Sequence, residues 1–124
     1  VSSYGNAMKS SGTVKIERDL EMDIASQHVL LIDDIVDTGR TLSNLVKMLK
    51  VRKPKSIEVC AMLDKKSQRR AEVDVKFSAF DIDNHFVVGF GLDYRQQFRN
   101  MDFIGKLKEG HQPLLDEYLD SLGL

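Results

Sequence analysis

The feature that most constrains this fold is the segment from Val29 to Thr41, in which an apolar run leads through two adjacent acids into a small polar turn. A near-continuous apolar run is typical of a parallel strand that is covered on both faces. Arg40 to Val51 follows with apolar residues at helical spacing, and Ser56 to Leu63 is a second apolar run of strand length. A strand, a helix and a strand in this order predict part of a parallel α/β sheet.

The length of the chain favours a single domain. Its 124 residues, 42% of them hydrophobic, suffice for one core and are too few for two comfortable ones. We therefore assign residues 1–124 to one domain. Short strands are expected near residues 75–80 and 86–90, and Pro113 is expected to open a last helix. The predicted apolar face of that helix consists of Leu114, Leu115, Tyr118, Leu119 and Leu122.

Charge and composition exclude several classes of function. A formal net charge of -1 and a sequence pI near 6.3 give no general case for nucleic-acid binding. No apolar run approaches the roughly 20 residues that cross a bilayer, so no membrane partner is predicted. Cys60 is the only cysteine and lies in an apolar run. We expect it to be an inert buried thiol, in a cytoplasmic setting.

The acids and the turn after the first strand form a candidate binding site. Asp33 and Asp34 end that strand, where carboxylates can hold sugar hydroxyls or Mg²⁺. The segment Asp37-Thr38-Gly39-Arg40-Thr41 offers hydroxyls and a glycine at a helix start, where backbone N–H groups bind phosphate. Solvated acids and a helix cap at Asp37 are the alternative interpretations, but a cap accounts for one residue of the set. A ligand that carries a ribose and a phosphate fits this layout.

This arrangement closely resembles the phosphoribosyl-pyrophosphate (PRPP) signature of the type I phosphoribosyltransferases. The resemblance implies the parallel-sheet α/β core of that family. It also implies that Asp33 and Asp34 bind the ribose 2′- and 3′-hydroxyls, near an ion at the ribose. The segment that would hold the 5′-phosphate comprises Asp37, Thr38, Gly39, Arg40 and Thr41.

Two later segments resemble the hypoxanthine-guanine members of the same family. Lys65 directly follows the second predicted strand, and the other segment reads Phe86-Val87-Val88-Gly89-Phe90-Gly91-Leu92-Asp93-Tyr94-Arg95-Gln96-Gln97-Phe98-Arg99. The resemblance implies that Lys65 donates to an oxygen at purine position 6, which favours oxopurines over adenine. We interpret Lys66, Arg69 and Arg70 as a solvated basic bend.

The resemblance also implies the remaining binding roles. Phe86 would stack on the purine ring, and Val87 would present its backbone carbonyl to the edge of the base. Asp93 would reach, through waters, a Mg²⁺ ion that is bound to pyrophosphate. Arg99 would contact the pyrophosphate oxygens with its planar fork. Mg²⁺ is therefore the implied cofactor, and PRPP and an oxopurine base are the implied small-molecule partners.

The implied reaction belongs to purine salvage. The phosphoribosyl group of PRPP would pass to N9 of hypoxanthine or guanine, giving IMP or GMP and pyrophosphate, with Asp37 as acid/base group near purine N7. Two alternatives stay open. One is a non-catalytic PRPP-binding regulatory domain or an inactive truncated subunit, and the other is a transferase that prefers xanthine. Lys65, Phe86 and Asp93 argue against a pure regulator, which would need no base pocket.

The first residues lead to an expectation about completeness. The chain opens at Val1 within a polar, glycine-containing stretch, without an initiator Met. Ser3 and Tyr4 resemble the mobile loop that closes over the site in this family, and residues 1–12 are interpreted as its remnant. We therefore expect an N-terminally incomplete core that alone has little transferase activity, unless an N-terminal fragment of the same protein accompanies it. A homodimer or homotetramer is expected by resemblance.

Overall fold

The structure is a computed structural model that describes residues 20–124. The chain divides into two compact units, Val1–Asn84 and His85–Leu124. Each unit has its own hydrophobic core and is described by itself.

The described part of the first unit is a three-stranded parallel sheet with one α-helix. Its elements are β1 (His28–Val36), α1 (Arg40–Lys50), β2 (Ser56–Asp64), a 3₁₀ turn (Lys66–Gln68) and β3 (Phe77–Asp81). The strand order is β1-β2-β3, and β2 pairs in parallel with both neighbours. The predicted strand, helix and strand are therefore confirmed, and so is the predicted strand near residues 75–80.

The register of the sheet places the ends of its strands side by side. His28 lies opposite Ser56 at the start of the β1–β2 pair, and their side chains are joined by a 2.7 Å hydrogen bond. At the other end, Val36 lies opposite Asp64, which in turn lies opposite Asp81. The polar residues that follow β1 and β2 therefore emerge at the same edge of the sheet, as parallel pairing requires.

The core of the first unit lies between α1 and the sheet. Leu42 of α1 is buried with Val36, Val59 and Ala61 of the strands. Each large apolar side chain buried in this way contributes about 1.5–3 kcal/mol. The helix ends before Pro54, whose ring removes a backbone donor. Because Leu42, in the first turn of α1, must contact the strands, the helix begins directly after the polar turn.

The prediction that β1 is covered on both faces is wrong for the described part of the chain. Leu30 and Ile32 are 52% and 77% exposed. Residues of a strand point alternately to opposite faces, and α1 covers only one face of the sheet. The continuous apolar run therefore indicates that this segment is a strand, but it overestimates how much of the strand is buried.

The second unit combines a short antiparallel pair with a helix. Its elements are β4 (Val87–Val88), β5 (Gly105–Lys106) and α2 (Gln112–Ser121). The strand expected at residues 86–90 is only two residues long, because Gly89, Phe90 and Gly91 all have positive φ. Gly89 is required at its position, since a Cβ there would lie 1.9 Å from the Phe103 carbonyl oxygen.

The last helix is confirmed, but most of its predicted apolar face is not buried. Leu119 is 3% exposed and Leu115 packs against the core of the second unit. Leu114, Tyr118 and Leu122 are each more than half exposed, so their assignment to a packed face is wrong. The side of α2 that contacts the core of its unit carries Leu115 and Leu119. No helix within residues 20–124 is long and apolar enough to cross a membrane.

Candidate active site

Asp33 and Asp34 lie within β1, which continues two residues beyond them to Val36, so the strand does not end at these acids as predicted. Asp33 is partly buried, and burial together with the charge of Asp34 raises its pKa from 3.8 to about 6. The Asp34 carboxylate accepts a 2.8 Å hydrogen bond from the Ile35 N–H. Two adjacent carboxylates, one of them poorly solvated, favour hydroxyl donors or a cation beside them.

The turn after β1 leads directly into α1. Asp37, Thr38 and Gly39 form the bend, and Gly39 is the N-cap residue with φ of 76°. The alternative interpretation of Asp37 as the helix cap is therefore wrong. The first turn of α1 contains no acidic residue. The Arg40 N–H makes a long hydrogen bond of 3.5 Å to Thr38 Oγ1. The positive end of the helix dipole and the following N–H groups can receive an anion such as a phosphate.

The packing of the turn requires glycine at position 39. A Cβ at this position would lie 2.8 Å from Val73 Cγ1 and 2.9 Å from Arg69 Cδ. Positive φ also strains any other L-residue there. Glycine is therefore required by the segment on which the turn packs.

Lys65 and Asp37 lie side by side in the structure. The Lys65 Nζ is 3.7 Å from Asp37 Oδ2, and the Lys65 side chain is only 8% exposed. The Lys65 backbone N–H also donates a 2.9 Å hydrogen bond to the Val36 carbonyl. The residue expected to select the base and the residue expected to exchange its proton are thus held on the same edge of the sheet.

Asp64 and Arg69 are structural residues of this site that sequence reasoning missed. Asp64 is 2% exposed and its carboxylate is paired with the Arg69 guanidinium. Arg69 also donates a 3.3 Å hydrogen bond to the Asp37 carbonyl. The interpretation of Arg69 as a solvated residue is therefore wrong. The sequence signal for this pair is limited to Asp64 itself, an acid at the end of a buried strand, and it does not identify Arg69 as the partner.

The same segment binds the predicted phosphate turn, residues 37–41, through its backbone. The N–H groups of Arg70 and Ala71 donate hydrogen bonds of 2.9 and 3.1 Å to the Thr38 carbonyl. The side chains of Lys66 and Arg70 are exposed, as expected of a solvated bend. Lys66 forms its ion pair with Asp81, away from the turn. Residues 65–71 therefore hold the turn from one side.

In the second unit, Phe86 packs against Tyr94. Their ring centroids are 5.4 Å apart and their planes are nearly perpendicular, at 88°. Such an edge-to-face pair fixes the orientation of the Phe86 ring. Phe86 is partly exposed, and Val87 follows it in β4.

Asp93 and Arg99 form an ion pair in the second unit. Arg99 Nη2 lies 2.8 Å from Asp93 Oδ1, and Arg99 Nη1 donates to the Gly91 carbonyl at 2.5 Å. The second carboxylate oxygen of Asp93 accepts a 2.7 Å hydrogen bond from the Gln96 N–H. Both side chains remain partly exposed. The structure therefore brings together the two residues that were assigned to pyrophosphate and its ion.

The donors expected to hold Mg²⁺ are compatible with that ion. Asp33, Asp34 and Asp93 offer only carboxylate oxygens, which are the donors that Mg²⁺ prefers. Within residues 20–124 no group of three or more acidic, histidine or cysteine side chains could hold a metal by itself. Mg²⁺ commonly binds through one or two carboxylates plus substrate phosphates. Asp33 and Asp34 in the first unit, and Asp93 in the second, are thus each compatible with an ion that arrives with a diphosphate.

Ser3 and Tyr4, which were expected to close over the site, lie outside the described residues. The described site residues fall into two sets. The first unit contains Asp33, Asp34, residues 37–41 and Lys65, and the second unit contains Phe86, Val87, Asp93 and Arg99.

Comparison with known proteins identifies the family. Residues 1–95 match the family model described as phosphoribosyl transferase domain. The chain is 48% identical over 108 residues to the hypoxanthine-guanine phosphoribosyltransferase of Bacillus subtilis, covering 87% of this chain and 60% of that protein. It is 49% identical over 107 residues to the enzyme of the same name from Mycobacterium avium, covering 86% and 53% of the two chains.

A solved structure agrees with these relatives. The hypoxanthine phosphoribosyltransferase of Staphylococcus aureus superposes with a TM-score of 0.78 at 43% identity, covering 86% of this chain and 58% of that one. The chain thus spans about 60% or less of the length of these three proteins. The match to the family model covers far more than half of the sequence and includes the turn and Lys65. The chain therefore belongs to the phosphoribosyltransferase family.

Proposed function

We propose that this chain carries the PRPP and purine sites of a hypoxanthine-guanine phosphoribosyltransferase. The observation that carries the proposal is the 3.7 Å approach of Lys65 Nζ to Asp37 Oδ2. This contact places Asp37, in the turn that would bind the ribose phosphate, beside the buried ammonium group of Lys65, which follows the neighbouring strand. A site for PRPP alone would not need the second group. The similarity to hypoxanthine-guanine phosphoribosyltransferases supports the same function.

The proposed reaction is a displacement at C1′ of the ribose. N9 of the base forms a bond to C1′, and the bond from C1′ to pyrophosphate breaks, with its electron pair leaving on the pyrophosphate oxygen. Asp37 accepts the proton that the base releases near N7. Arg99 neutralises the departing pyrophosphate, and a bound magnesium ion would supply further neutralisation of that charge.

Lys65 provides the discrimination among bases. Its ammonium group has only donors, so it matches the oxygen at position 6 of hypoxanthine and guanine and not the amino group of adenine. Because the side chain is almost fully buried, an unmatched amino group would be left unpaired in a poorly solvated position. A site built for one hydrogen-bonding pattern rejects the mismatched analogue strongly for this reason.

The ribose site is supported by the electrostatics of β1. The raised pKa of Asp33, caused by burial and by the charge of Asp34, means that the ionised form of Asp33 is disfavoured. Two ribose hydroxyls would donate hydrogen bonds to these carboxylates and favour the ionised form. Assembly into dimers or tetramers and a cytoplasmic setting stay predictions, based on family resemblance and on the lone Cys60.

Isothermal titration calorimetry on the 124-residue chain tests the proposed function. GMP and IMP should bind in a saturable manner, and AMP should bind at least about 10-fold more weakly because it presents a donor to Lys65. XMP in the same series decides the alternative of a xanthine preference. Failure of every purine nucleotide to bind, or equal affinities for IMP and AMP, would overturn the proposal.

A further inference from the structure

The C-terminal helix α2 lies beyond the part of the chain that matches the family model. That match ends at residue 95, whereas α2 spans Gln112–Ser121. The helix nevertheless contributes to the core of the second unit. Leu119 is 3% exposed and is buried together with Val88 and Tyr94. Helix α2, which lies outside the match to the family model, therefore packs directly on Val88 and Tyr94, which lie within that match.

Tyr94 connects this helix to Phe86. Its ring makes the edge-to-face contact with Phe86, at 5.4 Å between centroids. Its hydroxyl donates a 2.9 Å hydrogen bond to Asp116 Oδ1 of α2. Tyr94 is 5% exposed, and burial together with this bond raises its pKa. The hydroxyl therefore stays protonated and serves as a fixed donor.

Arg95 reinforces the same connection. Its guanidinium donates to Asp116 Oδ1 at 3.3 Å, to Asp120 Oδ1 at 2.6 Å and to the Leu124 carbonyl at 2.9 Å. Arg95 has φ of 50°, a conformation that costs a non-glycine residue about 1 kcal/mol or more. The bonds to α2 compensate for that strain. Asp116 is the one acid of the described chain that accepts hydrogen bonds from both Tyr94 and Arg95.

We propose that Asp116 is a positioning residue for the purine, which acts by holding Tyr94 so that the Tyr94 ring fixes the orientation of Phe86. This inference rests on the proposed function, because it takes Phe86 as the residue that stacks on the base. It assigns a role in base recognition to a helix that the family match does not include. A purely structural α2 would instead stabilise the second unit without any preference among ligands.

The test compares two ligands on the 124-residue chain. GMP carries the base, whereas ribose 5-phosphate carries only the part that the phosphate turn would bind. Asp116→Ala should weaken GMP binding by about 5- to 10-fold, less than the loss of a direct hydrogen bond to a charged group because Asp116 acts through Tyr94, and should change the affinity for ribose 5-phosphate by less than about 2-fold. Glu117→Ala, an exposed neighbour on the same helix, is the matched control and should change neither.

Two further variants keep the test decisive. Tyr94→Phe retains the ring and should reproduce the loss of GMP affinity, and the double variant should lose no more than either single one. Asp116→Asn keeps an acceptor and should bind GMP within about 2-fold of the original chain. Unchanged GMP binding by Asp116→Ala and Tyr94→Phe, or equal losses for both ligands, would overturn the inference. A chain that binds no GMP before any substitution would instead overturn the proposed function.

Discussion

The two units hold their candidate site residues by different means. In the first unit, the phosphate turn is fixed by backbone hydrogen bonds to Thr38 and by the buried pair of Asp64 and Arg69. In the second unit, Asp93 and Arg99 hold each other through a partly exposed ion pair on a backbone with several positive φ angles. The first arrangement is rigid before any ligand arrives. In the second arrangement, a ligand can replace the partner of either charged side chain.

The largest effect that this comparison predicts is on stability, from Arg69→Ala. The substitution leaves the Asp64 carboxylate, 2% exposed, without its partner. An unpaired buried charge costs about 3–5 kcal/mol. Urea unfolding followed by circular dichroism should show this loss. Lys66→Ala, which removes an exposed ion pair nearby, is the control and should leave the transition unchanged. A shift for Arg69→Ala no larger than that of the control would contradict the rigid account of the first unit.

The next effect is on ligand binding, from Lys65→Met. The substitution keeps the length and apolar stem of the side chain and removes its charged donor. Loss of a charged hydrogen bond should weaken GMP and IMP binding by about 10- to 100-fold and bring both close to AMP. Calorimetric titrations of the three nucleotides measure the change, with Lys66→Met as the matched control. Preserved discrimination against AMP in Lys65→Met would refute the proposed role of Lys65.

In the second unit, Arg99→Ala should weaken ligand binding while changing the free energy of unfolding little. Its ion pair with Asp93 is partly exposed, so its removal should cost at most about 1 kcal/mol of unfolding free energy. Pyrophosphate affinity, measured by calorimetry with Mg²⁺ present, should fall by about 10-fold because a charged donor pair is lost. A large loss of stability with unchanged pyrophosphate binding would mean that Arg99 is structural, like Arg69.

The smallest predicted effect concerns the pH dependence of stability and comes from Asp33→Asn. The pKa of Asp33 rises from 3.8 to about 6, so the folded state binds this proton more tightly than the unfolded state. The resulting stabilisation is complete below pH 3.8 and is lost as the pH rises through about 6. Asn cannot ionise. We therefore expect Asp33→Asn to raise the unfolding free energy at pH 7.5 by about 1 kcal/mol, after allowance for solvent screening.

Urea unfolding between pH 4 and 7.5 measures this effect. The exposed Asp74, on the same unit, provides the control substitution Asp74→Asn, which should leave the pH profile unaltered. If Asp33→Asn were destabilising at pH 7.5, the conclusion that burial and Asp34 disfavour the charge would be incorrect. If Asp33→Asn stabilises the chain, then the ionised Asp33 carboxylate, which is assigned to ribose binding, lowers the free energy of unfolding.

The elements of the first unit were predictable because their signals are local in the sequence. Continuous apolar runs identified β1 and β2, helical spacing of apolar residues identified α1, and parallel pairing then required the turn and Lys65 to share one edge of the sheet. The contact between Asp64 and Arg69 was not predictable from spacing, because it depends on a 3₁₀ turn at Lys66–Gln68 that returns the chain toward Asp37. Local side-chain geometry of this kind has no sequence period.

The second unit was less predictable for a related reason. Residues 89–98 contain six residues with positive φ, including Phe90, Arg95 and Phe98. These conformations depend on tertiary hydrogen bonds such as those from Arg95 to α2, and local sequence preferences argue against them. The roles of Phe86, Asp93 and Arg99 therefore came from resemblance, and the support by Tyr94 and Asp116 became visible only in the structure.

Nuclear magnetic resonance of the ¹⁵N-labelled chain during titration with GMP tests the central claim most directly. The claim is that the phosphate turn and Lys65 form one ligand site within the first unit. The backbone amide signals of Gly39, Arg40, Thr41 and Lys65 should shift with a single dissociation constant. Ribose 5-phosphate should shift the first three and leave Lys65 nearly unchanged. Saturation with GMP that leaves the turn amides unmoved, or that shifts the turn without Lys65, would contradict the account.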